Sequence, residues 1–247
     1  MIQNGAQLDL ILGTMFSGKT THILSQIAKM AELNYSILYI NIEFDNRSET
    51  IFSTHNPFFD IHKDFIKKES IKNNVEMIKK KKLIDIEIKD KDIIIIDESH
   101  FFDDLVEFVN ICLDMNKYVI VAGLIADFKG NKFGKTLDLV PICSNIIRLH
   151  AYCSECAKDK ICCIATYSKR IVKCKKSIDI GGSEKYIPVC RTHFKQEIFY
   201  DDKNIQNIKF KVNKSKKIIK DNLNDSLNES SDEIIDNNNN NNIININ

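Results

Sequence analysis

The hydrophobic and polar positions in the first half of the chain follow two alternating periods. Short apolar runs predict strands at 8–12, 36–42, 92–97 and 117–124. Between them, apolar residues recur every three or four positions, which predicts helices over 18–33 and 103–115. The run DIIIID at 92–97 is apolar on both faces, as is typical of a strand covered by helices on both sides. The alternation predicts the α/β class, with a parallel sheet flanked by helices.

The pattern changes twice further along the chain. From residue 150 the strand–helix alternation stops and cysteines gather, so we expect one domain over 1–149 and a second, smaller one over 150–200. The segment 201–247 is Asn, Asp and Ser with scattered Ile, and we expect it to be disordered. The Lys-rich stretch 60–91 predicts no clear element, and its KKKK at 79–82 is interpreted as a solvated face.

Composition and charge exclude several classes of function. The 247 residues are 43% hydrophobic and carry a formal charge of +1, so no overall basic field favours nucleic acid. No stretch approaches about 18 uncharged apolar residues, and the N-terminus lacks a basic region followed by an apolar one. We therefore expect no membrane span, no signal peptide and a cytoplasmic location. Eight cysteines in such a compartment indicate metal or free thiols before disulfides.

The sequence GTMFSGKT at 13–20 fits the phosphate-loop pattern G-x-x-x-x-G-K-[ST]. Its glycines let backbone N–H groups turn inward around an anion, Lys19 can reach the β- and γ-phosphates of ATP, and the Thr20 hydroxyl can bind Mg²⁺. A predicted strand precedes the loop and a predicted helix follows it, as this motif requires. The other loop residues are Gly13, Thr14, Met15, Phe16, Ser17 and Gly18. The bulky Met15 and Phe16 indicate an apolar neighbour such as a flat base.

Two carboxylates follow the predicted buried strand at 92–97. Ligands bind at this end of strands in open α/β sheets, where Asp97 could hold Mg²⁺ and Glu98 could accept a proton. The sequence DESH at 97–100 also matches the D-E-x-H box of helicases, which use two such domains. A nucleic-acid-dependent ATPase that contacts its partner through 63–91 is therefore an alternative. A GTPase is disfavoured because NKFG at 131–134 lacks the aspartate of N-K-x-D.

Two cysteine-containing pairs predict a metal site. CSEC at 153–156 and CRTH at 190–193 can together supply a tetrahedral Cys₃His site, with ligands Cys153, Cys156, Cys190 and His193. Four protein ligands leave no position for water, so we expect structural zinc. Cys162, Cys163 and Cys174 are competing ligands or free thiols packed in the core. A zinc-ribbon nucleic-acid binder would explain this cluster but not the phosphate loop.

Five motifs in order resemble the type II thymidine kinase family, and the resemblance covers residues 5–195. They are GTMFSGKTT (13–21), DNRSETIFSTH (45–55), IIIDESHFF (94–102), GLIADFKGNKFG (123–134) and GGSEKYIPVCRTH (181–193). The resemblance implies a P-loop domain followed by a zinc-binding lasso domain that closes over the nucleoside. It also implies transfer of the γ-phosphate of ATP, with Mg²⁺, to thymidine, giving dTMP for DNA synthesis. A homotetramer, feedback inhibition by dTTP and the absence of a nucleic-acid partner are implied as well.

The resemblance also assigns roles to individual residues. Lys19 and Thr20 would hold the phosphates and Mg²⁺, Asp97 would orient the metal, and Glu98 would be the general base. Arg47 would lie beside the transferring phosphoryl group, supported by Asp45. The implied nucleoside-binding residues are Met15, Phe101, Leu124, Phe128, Phe133, Ser168, Ile178, Ile180, Gly181 and Tyr186. Without the resemblance, the three phenylalanines in this set would be interpreted as core residues.

The chain departs from the family pattern at several positions. Thr14 and Lys132 stand where proline is common, and His193 stands where cysteine is common. His100 replaces a common Gln, and Ile125 replaces a common Asp. The last two substitutions leave a further alternative, a descendant that binds nucleotides without transferring phosphate.

Overall fold

A computed structural model describes residues 6–43, 69–172 and 181–196. Its main body is a parallel sheet of six strands, which confirms the predicted α/β class. The strands are β1 (Gln7–Gly13), β2 (Ile37–Ile42), β3 (Val75–Lys80), β4 (Ile93–Ile96), β5 (Tyr118–Leu124) and β6 (Asn145–Leu149). They are ordered β3-β2-β4-β5-β1-β6, so β1, β4 and β5 lie next to one another at the centre.

Helices cover both faces of the sheet. The helices of this body are α1 (Lys19–Glu32), α2 (Glu69–Asn74) and α3 (Leu105–Asp114), and 3₁₀ turns occupy Ser99–Phe101 and Thr136–Ile142. On β2, Tyr39 packs in the core cluster that contains α1, whereas its neighbour Ile40 packs in the cluster that contains α3. Residues Ile95 and Ile96 of β4 divide in the same way. This alternation explains why both strands are apolar at nearly every position.

The two edge strands were not predicted. The β3 sequence VEMIKK contains charged residues and is only partly buried, and the β6 sequence NIIRL has three exposed positions out of five. An edge strand is covered on fewer sides, so its sequence carries a weaker apolar signal. The lysines at 80–82 are exposed, as expected of a solvated face, although Lys79 and Lys80 belong to β3.

Beyond the sheet, strand pairing becomes antiparallel. The strands β7 (Ala151–Tyr152) and β8 (Ile164–Ala165) pair with each other, as do β9 (Tyr167–Arg170) and β10 (Tyr186–Val189). Two short helices, α4 (Ser154–Lys158) and α5 (Arg191–Lys195), follow β7 and β10. The change occurs where the sequence predicts the boundary at 149/150, and a division into two domains stays a prediction. The predicted tail, 201–247, lies outside the described residues.

Every helix of the described chain is too short or too polar to span a bilayer.

Candidate active site and metal cluster

The phosphate loop connects the end of β1 to the start of α1. A Cβ atom on Gly13 would lie 2.3 Å from the Ser17 Oγ and 2.8 Å from the Leu149 carbonyl oxygen, so the tight turn excludes any side chain there. Gly18, directly before α1, has a φ of 86°, which is the left-handed conformation that glycine adopts most easily. The backbone of this chain therefore excludes a side chain at position 13 and favours glycine at position 18.

Lys19 is buried and folds back across the loop, where its Nζ donates to the Thr14 carbonyl at 2.8 Å. The hydroxyl oxygens of Thr14 and Ser17 are also buried, and neither has a hydrogen-bond partner among the described residues. Buried hydroxyls in proteins almost always have a partner, so an exception needs an explanation. A phosphate group in the loop would supply the missing acceptor oxygens, and these residues therefore fit an anion.

Asp97 follows β4 and is held by three donors. The hydroxyls of Thr20 and Tyr39 both donate to its Oδ2 at 3.0 Å, and the Glu98 N–H donates to its Oδ1 at 2.8 Å. Burial, followed by the charge of Glu98, raises the pKa of Asp97 to about 6, against the opposing effects of the Glu98 N–H, the charge of Lys19 and the Thr20 hydroxyl. Asp97 is therefore a carboxylate oriented beside the loop lysine, as a metal-orienting group has to be.

Sequence reasoning missed Tyr39, which is fully buried in the middle of β2. In the sequence it is one more large apolar residue in a strand. Only the pairing of β2 with β4 brings its hydroxyl to Asp97.

Glu98 has a φ of 50° and a ψ of 37°, a left-handed conformation that is uncommon for residues other than glycine. Such backbone strain is found most often at functional sites. Its side chain is 13% exposed, and Oε2 lies 3.5 Å from the His100 Nε2. Glu98 is therefore a partly accessible carboxylate. Its backbone N–H contacts Asp97, and its side chain approaches His100.

Two aromatic rings pack against the imidazole of His100. Its ring centroid lies 4.2 Å from that of Phe101 and 4.6 Å from that of Phe133, and the two phenylalanines meet edge to face at 5.6 Å. The Leu124 N–H, at the end of β5, donates to the His100 Nδ1 at 3.2 Å. Three residues expected at the nucleoside, Phe101, Leu124 and Phe133, thus contact the same imidazole.

A second group of expected nucleoside-site residues contacts Arg170 on β9. The Arg170 guanidinium lies 3.7 Å from the ring centroid of Phe128 and donates to the Tyr186 hydroxyl at 2.9 and 3.2 Å. The buried Arg170 was not anticipated, because a charged residue in a sequence such as YSKR is normally assigned to the surface. Gly181 is buried just before the turn that leads to β10.

Three consecutive residues of β9 reach three different parts of the molecule. The Ser168 Oγ accepts the N–H of Met15 in the phosphate loop at 2.9 Å. The Lys169 Nζ donates to the carbonyls of His193 at 2.8 Å and Phe194 at 3.0 Å, and also to that of Gln196. Arg170 holds Tyr186, so β9 connects the phosphate loop, α5 and the Tyr186 side chain.

Four expected site residues, Asp45, Arg47, Ile178 and Ile180, lie outside the described residues.

The four expected metal ligands come together although they are separated in the sequence. One ligand atom from each of Cys153, Cys156, Cys190 and His193 lies within 4.8 Å of every other. The His193 Nδ1 is 3.4–3.5 Å from each Sγ, and the Sγ atoms of Cys156 and Cys190 are 3.9 Å apart. A tetrahedron with zinc–sulfur bonds of about 2.3 Å has edges of about 3.8 Å. The cluster therefore fits a zinc ion.

The thiols of this cluster differ in acidity. The backbone N–H of His193, followed by smaller hydrogen-bond effects, lowers the pKa of Cys190 to about 6, whereas burial raises that of Cys156 to about 12. Zinc binds thiolates, so loading the cluster would release protons. Of the competing cysteines, Cys162 is exposed, which makes its expected packing in the core wrong; Cys163 is half-buried, and Cys174 lies outside the described residues.

Comparison with known proteins identifies relatives over most of the chain. The family model described as thymidine kinase matches residues 6–194. The chain is 35% identical over 190 residues to the thymidine kinase of Variola virus, which covers 76% of this chain and 96% of the viral one. The corresponding protein of Choristoneura fumiferana entomopoxvirus is 34% identical over 188 residues, covering 74% and 94% of the two chains.

A bovine relative, "Thymidine kinase, cytosolic" of Bos taurus, is 35% identical over 188 residues, which cover 75% of this chain and 70% of the relative. Among solved structures, the flagellar accessory protein FlaH of Methanocaldococcus jannaschii aligns with a TM-score of 0.42 at 18% identity, over 57% of this chain and 70% of that one. The latter likeness is too weak to bear on function.

Proposed function

The chain belongs to the thymidine kinase family, whose reaction is phosphotransfer from ATP to thymidine, and we propose that Glu98 is the general base of that reaction here. In this proposal the phosphate loop binds ATP, with Lys19 and Thr20 on its phosphates. The residues around His100 and Arg170 form the thymidine site.

The position of Glu98 carries this proposal. On one side its neighbour Asp97 is bonded to Thr20 at the start of α1. On the other side its carboxylate approaches His100, whose ring contacts Phe101 and Phe133. A base for this reaction has to lie between the phosphates and the nucleoside, because the 5′-hydroxyl attacks the γ-phosphorus.

The chemical step is an in-line displacement. As the thymidine 5′-oxygen forms its bond to the γ-phosphorus, its proton passes to the Glu98 carboxylate, and the bond from that phosphorus to the bridging oxygen of ADP breaks. Lys19 offsets negative charge on the phosphate oxygens. When bound, Mg²⁺ would offset more of that charge, with Asp97 and Thr20 as the groups that orient it. Arg47, supported by Asp45, is proposed to act on the same phosphoryl group.

The nucleoside is proposed to lie against mainly apolar residues that come from two parts of the chain. Phe101, Leu124, Phe128 and Phe133 come from the first domain, and Met15 from the phosphate loop. The lasso would contribute Ser168, Ile178, Ile180, Gly181 and Tyr186. The contact of Arg170 with both Phe128 and Tyr186 supports this set, because it holds two of its aromatic residues together.

We propose structural zinc at the Cys₃His cluster, since all four positions of a tetrahedron are taken by protein atoms. By extension from the resemblance, we further propose a homotetramer, dTTP as a feedback inhibitor and Mg²⁺ as the metal that accompanies ATP. A cytoplasmic location is proposed from the bovine relative, whose name includes "cytosolic".

Phosphoryl transfer from labelled ATP to thymidine, deoxyuridine, deoxycytidine, deoxyadenosine and deoxyguanosine tests the function directly. We expect labelled dTMP as the main product. Absence of any labelled nucleotide, combined with ATP hydrolysis stimulated by DNA or RNA, would reject the kinase in favour of the nucleic-acid-dependent ATPase. ATP binding with neither transfer nor hydrolysis would indicate a nucleotide-binding descendant.

A further inference from the structure

We propose that His100 is a positioning residue of this site, and that its Nε2–H holds the Glu98 carboxylate in place for proton transfer. The proposal rests on the role of Glu98 as general base given above. It concerns a residue that differs from the glutamine common in the family, and it gives that difference a chemical meaning.

The hydrogen-bond partner of one ring nitrogen determines the state of the other. The Leu124 N–H donates to the His100 Nδ1 at 3.2 Å, so Nδ1 carries no hydrogen. A neutral imidazole that accepts at Nδ1 carries its hydrogen on Nε2. Nε2 is the atom 3.5 Å from the Glu98 Oε2. The backbone of β5 thus selects the tautomer that directs an N–H toward the proposed base.

The imidazole is fixed in that orientation by its surroundings. The His100 side chain is 1% exposed and packs against the rings of Phe101 and Phe133, which also contact each other. The backbone carbonyl oxygen of His100 would lie 2.1 Å from a Cβ atom added to Gly134, so the backbone of His100 is closely packed as well. A ring turned over by 180° would lose the Leu124 bond, because carbon would replace Nδ1. Only one ring orientation satisfies both contacts.

Glu98 is a side chain that benefits from such a donor. It extends from a left-handed backbone and its side chain is 13% exposed, so a donor at Oε2 helps to select its rotamer. A donor that selects one rotamer reduces the ordering required in the transition state. A neutral donor also leaves the negative charge on the carboxylate, whereas a cation would form an ion pair and weaken the base. The 3.5 Å separation is long, as catalytic hydrogen bonds often are before substrate binds.

Two substitutions test the aromatic ring of His100 and its Nε2–H donor separately. His100→Phe keeps an aromatic ring against Phe101 and Phe133 but removes the donor, together with the Nδ1 acceptor of the Leu124 N–H. His100→Gln removes the ring but keeps a side-chain amide that can both donate and accept. We expect His100→Phe to lower kcat about 10- to 100-fold with KM for thymidine within about threefold of wild type. We expect His100→Gln to retain kcat within about threefold, with any loss appearing in KM.

A double substitution tests whether the effect passes through Glu98. In the Glu98→Gln background, His100→Phe should add less than about twofold to the loss of kcat, because the base it positions is already absent. Wild-type kcat in His100→Phe, equal kcat losses in the Phe and Gln variants, or full additivity with Glu98→Gln would each overturn the proposal. If wild-type protein produces no dTMP, the proposed function fails instead, so the two failures are distinguishable.

The ¹⁵N spectrum of the histidine rings gives a readout that depends on neither activity nor the folding of His100→Phe. The chain has six histidines, and the His100→Gln spectrum identifies the signal of His100. We expect a neutral ring with its hydrogen on Nε2, and a shift of that hydrogen in Glu98→Gln. A hydrogen on Nδ1, or an unchanged Nε2–H signal in Glu98→Gln, would overturn the proposal.

Discussion

Asp97 is a carboxylate in surroundings that disfavour its charge. Its pKa is raised to about 6, first by burial and then by the charge of Glu98, whereas the ordinary aspartate pKa, expected in the unfolded chain, is 3.8. Between these two values the folded protein binds a proton that the unfolded chain has lost. The contribution of Asp97 to the free energy of unfolding therefore falls as pH rises from about 4 to about 6, at up to about 1.4 kcal/mol per pH unit, and is constant above this window.

This sign can be tested with Asp97→Asn, which cannot titrate. In urea unfolding without nucleotide or Mg²⁺, we expect wild type to lose about 1–3 kcal/mol relative to the variant as pH rises from 4 to 6. Their difference should then stay constant from pH 6.5 to 8. If the two curves run parallel over the whole range, Asp97 is not titrating near 6 in the folded protein.

Glu98 and Asp97 are adjacent, but substitutions at the two positions are expected to have different effects on phosphoryl transfer and ATP binding. Glu98→Ala should lower phosphoryl transfer at least about 100-fold, because the proton acceptor is lost. ATP binding should remain within about threefold, since alanine retains the backbone N–H that the Glu98 position donates to the Asp97 carboxylate. Transfer from labelled ATP and binding of a fluorescent ATP analogue measure the two effects. Loss of ATP binding would show that Glu98 is part of the phosphate site.

At the scale of elements, β9 is the segment with the most diverse partners. Its Lys169 is buried, and its Nζ donates to the carbonyl oxygens of three residues at the end of α5. Those carbonyls have no continuing helix to satisfy them. The ammonium of Lys169 therefore closes the short helix that contributes His193 to the metal cluster.

Lys169→Met keeps the length of the side chain and removes the donor. We expect amide hydrogen exchange over 190–196 to accelerate by an amount equivalent to about 1.5–3 kcal/mol, the range for hydrogen bonds to a charged group. Lys195→Met, which removes an exposed charge from the same helix, is the matched control and should change exchange little. Equal effects in both variants would mean that charge on α5, and not the buried bonds, stabilises this segment.

Local patterns predicted the four strands with long apolar runs and the two amphipathic helices that pack on them. They missed the edge strands and the short strands after residue 150, although β10 is buried at every position. The strands β1, β2, β4 and β5 were predicted because their apolar runs are nearly unbroken, and α1 and α3 because of their period. For the site, fixed spacings predicted the phosphate loop and grouped the metal ligands. Contacts made by Tyr39, Lys169 and Arg170 depend on which strands become neighbours, and a spacing rule contains no such information.

At the scale of the whole molecule, the cluster joins residues that the sequence separates. Cys153 and Cys156 belong to α4 and the turn before it, whereas Cys190 and His193 belong to α5 and the residue before it. Zinc binding would therefore close a loop that contains β8, β9 and β10. Because the central sheet has its own two core clusters, we expect its stability to be independent of this closure.

Chelation should therefore loosen one part of the molecule and spare the other. We expect one zinc per chain before chelation, and afterwards faster amide exchange over 151–172 and 181–196 with little change in β1, β4 and β5. Cys190→Ser should lose zinc, whereas Cys162→Ser, which alters an exposed cysteine outside the cluster, should retain it. Unchanged exchange and activity in zinc-free protein would refute a structural role for the metal.

The contacts of β9 also restrict how this chain can change over evolutionary time. Successive strand residues face opposite sides, so inserting or deleting one residue would present each partner with the wrong side chain. The phosphate loop, α5 and Tyr186 would all lose their contacts in a single event. Single substitutions in β9 each affect one contact, whereas a change in the length of β9 affects all of them. Length variation among descendants of this protein should instead accumulate in the exposed segment 159–162, which follows α4.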